Sequence, residues 1–200
     1  MEADWEVEVG GGAPVIDALW PGFVDLRRFP ERMGEIAETA DFPPLAALLL
    51  ALNAAGSPVW TAKCDVWEPE ADALAASDRI AGKAPVALAC YVDMLPRQGT
   101  VFAQWEQAEA FCKEWVARLA RPLQRLEPLP ESRVDLIVRQ ALAGQTEGFG
   151  VTAYLSAAGG DRAMASEALA AALVAFANAI PPEALPETGT SKLQWKSTGE

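Results

Sequence analysis

Apolar and polar residues change period several times along the chain, and the changes divide it into elements. Residues 5–9 read Trp-Glu-Val-Glu-Val, the twofold alternation of a strand with one wetted face. Glycines 10–12 end it. Pro21-Gly22 marks a turn, and Phe23-Val24-Asp25-Leu26 then has the composition of a second short strand. Met33, Ile36 and Ala37 recur at helical spacing and predict a short helix within residues 30–39. Asp41 precedes Pro43-Pro44, a capping residue followed by prolines that a first helical turn tolerates. The residues from there to about 54 are apolar nearly all round, which predicts a helix buried on most sides and stopped at Gly56.

Residues 59–67 contain Val59, Trp60, Thr61, Val66 and Trp67, types that favour strands. Residues 85–95 form a second predicted strand, ended by Pro96. The polar, alanine-rich stretch 68–82 between them reads as a connection with a helical turn near 71–80. After Gly99-Thr100, Trp105, Ala108, Cys112, Trp115 and Leu119 recur in steps of three and four, the apolar stripe of a helix that Pro122 should end. Trp105, Trp115 and Trp60 are expected in the core, and Trp67 and Trp195 are candidates for exposed contacts. Residues 126–130 form a proline-containing linker.

Residues 132–142 carry two signals. Ser132 with Asp135 has the spacing of a helical capping box. Val134, Leu136 and Val138 alternate with Arg133, Asp135 and Arg139, a pattern broken only by Ile137, and this favours a strand. A turn at 144–148, a strand over 149–157, and a helix introduced by Gly159-Gly160-Asp161 and ended by Pro181-Pro182 complete the series. From residue 41 the order is a loose αββ repeat plus a final helix. The expected class is α+β: a four-stranded, mostly antiparallel sheet with helices packed on one face. The expected organisation is an acidic N-terminal segment over 1–40 with short strands and a short helix, a single α+β domain over 41–180, and a C-terminal tail over 181–200.

The 200 residues are 51% apolar and 22% charged, ordinary for a globular chain and sufficient for a core. A net charge of −12 argues against nucleic acid as a partner, because phosphate binding requires a cationic surface. The acidity is uneven, with ten acidic and three basic residues in 1–41. Histidine is absent, which removes Ser-His-Asp and Cys-His catalysis and His-ligated zinc. Cys64, Cys90 and Cys112 form no CxxC pair, so reduced, buried thiols in a cytoplasmic protein are expected. Residues 45–52 are too short to span a bilayer, and Ser166, Glu167 and Asn178 interrupt 163–180, so no membrane contact is expected. Residues 1–12 lack the apolar core of a secretory signal. Residues 185–189 spell LPETG, like a sortase recognition motif, but the polar residues 190–200 are not the hydrophobic segment such an anchor needs, and coincidence is the expectation.

Candidate chemistry follows from strand parity. Trp60, Ala62, Cys64 and Val66 are expected to face the helices, as are Val86, Leu88, Cys90 and Val92, then Val134, Leu136 and Val138. The opposite face would carry Thr61, Lys63, Asp65 and Trp67 beside Tyr91 and Asp93. Arg133, Asp135 and Arg139 continue it, followed by Thr152, Tyr154 and Ser156. Lys63, Asp65, Trp67, Tyr91 and Asp93 are the candidate ligand-binding residues, against the plainer reading of one wetted face of an antiparallel sheet. Asp25, Asp65, Asp93 and Asp135 each lie between apolar neighbours, and converging carboxylates are a route to Mg²⁺ or Mn²⁺. Pairing with Lys or Arg is the plainer cause. Arg118, Arg121 and Arg125 share a helical face if the helix passes Pro122 and would grip an anion, although Glu114 makes an ordinary i,i+4 pair with the first. Gly159-Gly160 is a weak phosphate cradle, with Asp161 opposing the charge.

These signals lead to a non-enzymatic intracellular binding or assembly module, with no catalytic residues, cofactor or metal expected. Its partner is a protein or small molecule, and homo-oligomers are possible. A small metal-dependent enzyme using the strand aspartates is the alternative. An acidic inhibitor steered to a basic protein is a further one.

Overall fold

The computed structural model describes residues 1–8, 10, 13–69, 86–120 and 132–182. The predicted turn at 71–80, the linker 126–130, the residues Arg121, Pro122, Arg125 and Trp195, and the LPETG string lie outside them. The strands are β1 (Glu2–Glu8), β2 (Ile16–Asp17), β3 (Val59–Trp67), β4 (Val86–Pro96), β5 (Ser132–Ala143) and β6 (Thr146–Gly159). The helices are α1 (Ala37–Asp41), α2 (Pro43–Asn53), α3 (Trp105–Leu119) and α4 (Arg162–Asn178), with a 3-10 turn over Pro30–Glu35.

The architecture is α+β, and the sheet is larger than four strands. Its order is β1-β5-β6-β4-β3, with β2 also on β5. β3, β4, β6 and β5 are mutually antiparallel neighbours, whereas β1 and β2 run parallel to β5. The two αββ units meet at the central β4–β6 pair, and α4 lies across both strands. The capping-box reading of 132–142 is overturned, since β5 pairs with β6 from Ser132 to Ala143. The turn between them is Gly144-Gln145, where φ +65° at Gly144 suits the first position of a type II′ hairpin.

The main core lies between the sheet and the helices. Leu45, Leu48, Leu49 and Leu52 of α2, Cys112 and Trp115 of α3, and Leu169, Leu173 and Phe176 of α4 pack on one sheet face. α2 is less enclosed than predicted, because Leu50 is exposed. Its N-cap is Phe42 rather than Asp41, which ends α1, and Pro43 fills a first-turn position whose N–H would have no helical partner. α3 starts at Trp105, later than Gly99-Thr100 suggests, because Phe102 first makes a bridge to Phe149. Trp105 is exposed rather than core, since it stands in the first turn before the helix seats on the sheet.

Parity in β3 departs from strict alternation. Thr61 pairs with Met94 and Lys63 with Asp93, so Ala62 is an extra residue, a β-bulge that shifts the facing of the side chains. Trp60 and Ala62 therefore turn away from the helices into a second cluster with Ile16, Ala18 and Leu95. Thr61 faces α2 instead, correcting the expected placement of all three. Residues 18–29 cross this side as a strap, and Phe23–Leu26 is part of it rather than a strand. Trp20 Nε1 donates to the Ala62 carbonyl at 2.8 Å, Phe23 packs edge-on against Trp60, and the Arg27 guanidinium lies 3.8 Å above the Trp60 ring. Asp25 holds Arg27 through two hydrogen bonds of 2.8 and 3.0 Å.

Asn53 ties α2 to the bulged strand. Its amide nitrogen donates to Thr61 Oγ1 at 2.7 Å and to the Leu49 carbonyl at 2.8 Å, and its oxygen accepts from Thr61 N at 3.2 Å. Asn53→Ala leaves a buried backbone N–H without its acceptor and is expected to destabilise the fold by about 1–3 kcal/mol. A urea midpoint unchanged from wild type would contradict this.

Candidate functional site

The sheet face opposite the helices is covered at one end by the strap and left open toward the other. Register places the five candidate residues on it together. Lys63 is opposite Asp93, Asp65 opposite Tyr91, and Trp67 opposite Ala89. The face continues through Tyr91 to Tyr154 and through Asp93 to Thr152, then from Tyr154 to Asp135.

The rings cluster. Trp67, Tyr91 and Tyr154 have centroids 6.0 to 6.3 Å apart, with Trp67 perpendicular to Tyr154. Such tilted and edge-on arrangements are the favourable ones for aromatic quadrupoles. Trp67 is 36% exposed. Arg139 closes the other side of Tyr154, donating from Nη1 to the phenol oxygen at 2.8 Å, and is itself paired with Glu8 at 2.8 Å.

Lys63 and Asp93 face each other in register but take different partners. Lys63 hydrogen-bonds Tyr91, which raises its pKa, with the Asp93 and Asp65 carboxylates adding in the same direction. Asp93 is buried and accepts from Thr152 Oγ1 at 2.6 Å. Burial pushes its carboxyl up to about 6, although the Thr152 hydrogen bond and the charges of Arg139 and Lys63 pull it down. Burial likewise pushes the thiols of Cys64, Cys90 and Cys112 up to about 12, and all three are free. Thiolate nucleophiles need the opposite shift.

The strand aspartates do not converge. Asp25 belongs to Arg27 and Asp135 to Arg133, while Asp65 accepts from the neighbouring Val66 N–H. Two strands separate β3 from β5, so Asp65 and Asp135 lie three inter-strand spacings apart, roughly 14 Å. Among the described residues no group of three or more Cys, Asp or Glu side chains is placed to hold a metal ion. At the remaining candidates, Arg118 is paired with Glu114 at 3.0 Å. The Asp161 carboxylate accepts from Met164 N at the start of α4, where a phosphate would have to sit.

The chain matches no family model, no curated protein and no solved structure. The side chains of the open face are one exposed ring, Trp67, and two half-buried rings, Tyr91 and Tyr154, set among carboxylates. Sequence reasoning missed the contribution of β1, whose Glu2, Asp4, Glu6 and Glu8 are the exposed members of an alternating strand. They extend the open face beside β5. The alternation at residues 5–9 signalled a half-buried strand, but nothing local in it names β5 as its neighbour.

Proposed function

We propose that this protein is a non-enzymatic binding module that meets a protein partner through the open face of its sheet. The observation that carries this reading is the Trp67–Tyr91–Tyr154 ring cluster on a face that the helices leave uncovered. Aromatic residues are enriched at interfaces and dominate their energetics. Three free cysteines, two of them buried, support a cytoplasmic location, as reducing compartments preserve thiols. Among the described residues no helix is long and apolar enough to cross a membrane.

Self-association is better served by the helix side, where Leu50 of α2 and Val174 of α4 are exposed. Two copies meeting through the open face would bring like-charged surfaces together.

The test is comparative capture of partners from the native host. Wild-type protein and a Leu50→Ala/Val174→Ala variant should retain the same partner. Trp67→Ala/Tyr91→Ala should lose it, with affinity reduced by about 30-fold or more if the rings anchor the contact. Equal retention by all three proteins sinks the reading.

A further inference from the structure

β1 closes one end of the strand order, and among the described residues its outer edge has no strand beside it. An edge of this kind presents unpaired backbone N–H and C=O groups, a template for another strand. On the open face β1 carries Glu2, Asp4, Glu6 and Glu8 at alternate positions, a row of carboxylates spaced by roughly 7 Å. We propose that β1 receives an extended basic segment of a partner protein by strand addition, with Lys or Arg at every second position over this row. The proposal deepens the binding-module reading and rests on it only in treating the open face as a contact surface.

Charge complementarity carries the argument. The two arginines nearest the row are already committed, Arg133 to Asp135 at 2.7 Å and, at 4.0 Å, to Glu2, and Arg139 to Glu8 at 2.8 Å, so the end members of the row are paired and the middle ones are the available charges. Among the described residues Asp4 and Glu6, at the middle of the row, take part in no ion pair, and Asp4 Oδ1 accepts from the Trp5 N–H at 2.8 Å, a contact that an incoming strand would replace. On the side toward β5, Asp4 and Glu6 border a groove of about 420 Å³ lined also by Arg133, Asp135, Ile137, Arg139 and Tyr154, so a basic strand would meet them from the outer side. A long basic side chain of the added strand would stand one strand spacing, roughly 5 Å, from Asp4 and Glu6, within reach of both carboxylates. Backbone pairing supplies affinity in strand addition, and the alternate side chains supply specificity. A second copy of β1 would set acid against acid across the new pair, which is unfavourable. The same row that selects a basic strand therefore discourages self-pairing. An acidic row that serves only to blunt the edge would show no preference for how the charges of a basic peptide are spaced.

The experiment uses the full chain and a fluorescent synthetic peptide as long as β1, with lysine at alternate positions and threonine between. Control peptides carry the same residues with the lysines in one block, or the alternating order with N-methylated backbone amides. Spermidine serves as a free polycation. The alternating peptide should bind at low salt at least about tenfold more tightly than either control peptide or spermidine, and should slow amide exchange in residues 2–8. Asp4→Asn/Glu6→Gln should weaken it by about tenfold or more, and Glu31→Gln/Glu147→Gln, an equal charge change at exposed sites elsewhere, should not. Absent binding overturns the proposal. So does equal binding of alternating and blocked peptides, equal weakening by the two double variants, or spermidine binding as well as the peptide. Such a failure, with Trp67→Ala/Tyr91→Ala still losing the native partner, leaves the open-face reading standing and removes only the basic strand.

Discussion

Trp115→Ala is expected to destabilise the protein by about 3–5 kcal/mol, the range for deleting a large aromatic side chain from a packed core. Trp115 is fully buried in α3. Its indole stacks on Phe176 of α4 at 4.3 Å between centroids and 10° between planes, and meets Phe111 edge-on at 5.2 Å. Its Nε1 donates to the Phe176 carbonyl at 3.2 Å, close to the C-terminal end of α4. One residue therefore joins the two helices that cover most of the sheet, and truncation leaves a cavity and takes one of two donors from the Phe176 carbonyl, which still accepts from Ala179 N at 3.2 Å. Trp115→Phe keeps most of the ring contact and loses the hydrogen bond, so a cost of about 0.5–1.5 kcal/mol is expected. Urea unfolding of the three proteins measures both differences. Equal losses for alanine and phenylalanine would place the stabilisation in the hydrogen bond rather than in packing.

Asp93→Asn is expected to stabilise the protein near neutral pH. Burial raises the Asp93 carboxyl to about 6, above its ordinary value of about 4. Between those values the folded protein holds a proton that the unfolded chain has released. Stability is thus greatest on the acid side of the window and falls as pH rises through 6. At neutrality the ionised carboxylate disfavours the folded state by up to about 3 kcal/mol relative to its protonated form. Asparagine keeps an oxygen to accept from Thr152 and carries no charge to desolvate. The variant should gain most of that difference at about pH 7.5 and lose the advantage as pH falls toward about 4. Asp25, held below its ordinary value by Arg27, acts in the opposite sense, its stabilisation being lost as pH falls below the usual carboxylate range. Asp65→Asn, on an exposed residue of the same face, should change stability by less than about 0.5 kcal/mol at either pH. Urea midpoints across this range decide the matter, and a constant Asp93→Asn difference from acid to neutral pH would refute it.

The contrast between Asp65 and Asp93 shows what could be read from one dimension. Both were legible as strand residues on the polar face, because side-chain period in a strand is two and each sits among alternating neighbours. Their different surroundings were not legible. Asp93 is buried at the end of the face that the strap crosses, while Asp65 stands one pair further out, where β3 returns to alternating exposure. The uncharged run Val59-Trp60-Thr61-Ala62 did hold a signal of two-sided burial, which strict parity overrode. A bulge inserts one residue without altering strand composition, so Trp60 and Ala62 changed face with no local sign.

By itself, the sequence determined the local alternatives: strands where β-branched and aromatic residues dominate, a striped helix around Trp115, a hairpin at Gly144, and α+β order in the αββ series. It also determined an acidic chain without histidine, which closes several catalytic routes. Only the tertiary structure decided that residues 2–8 join a strand more than a hundred positions away, that the sheet has six strands among the described residues rather than four, and that residues 132–143 are strand rather than helix. Each outcome depends on pairing between distant segments, whose hydrogen bonds are made by the backbone and so leave little trace in side-chain identity. The open face was predictable from Lys63 outward along β3 and across β4 to β6, but not at the bulge or at β1; which carboxylate is desolvated there, and which edge has no strand beside it among the described residues, depended on pairing between distant segments.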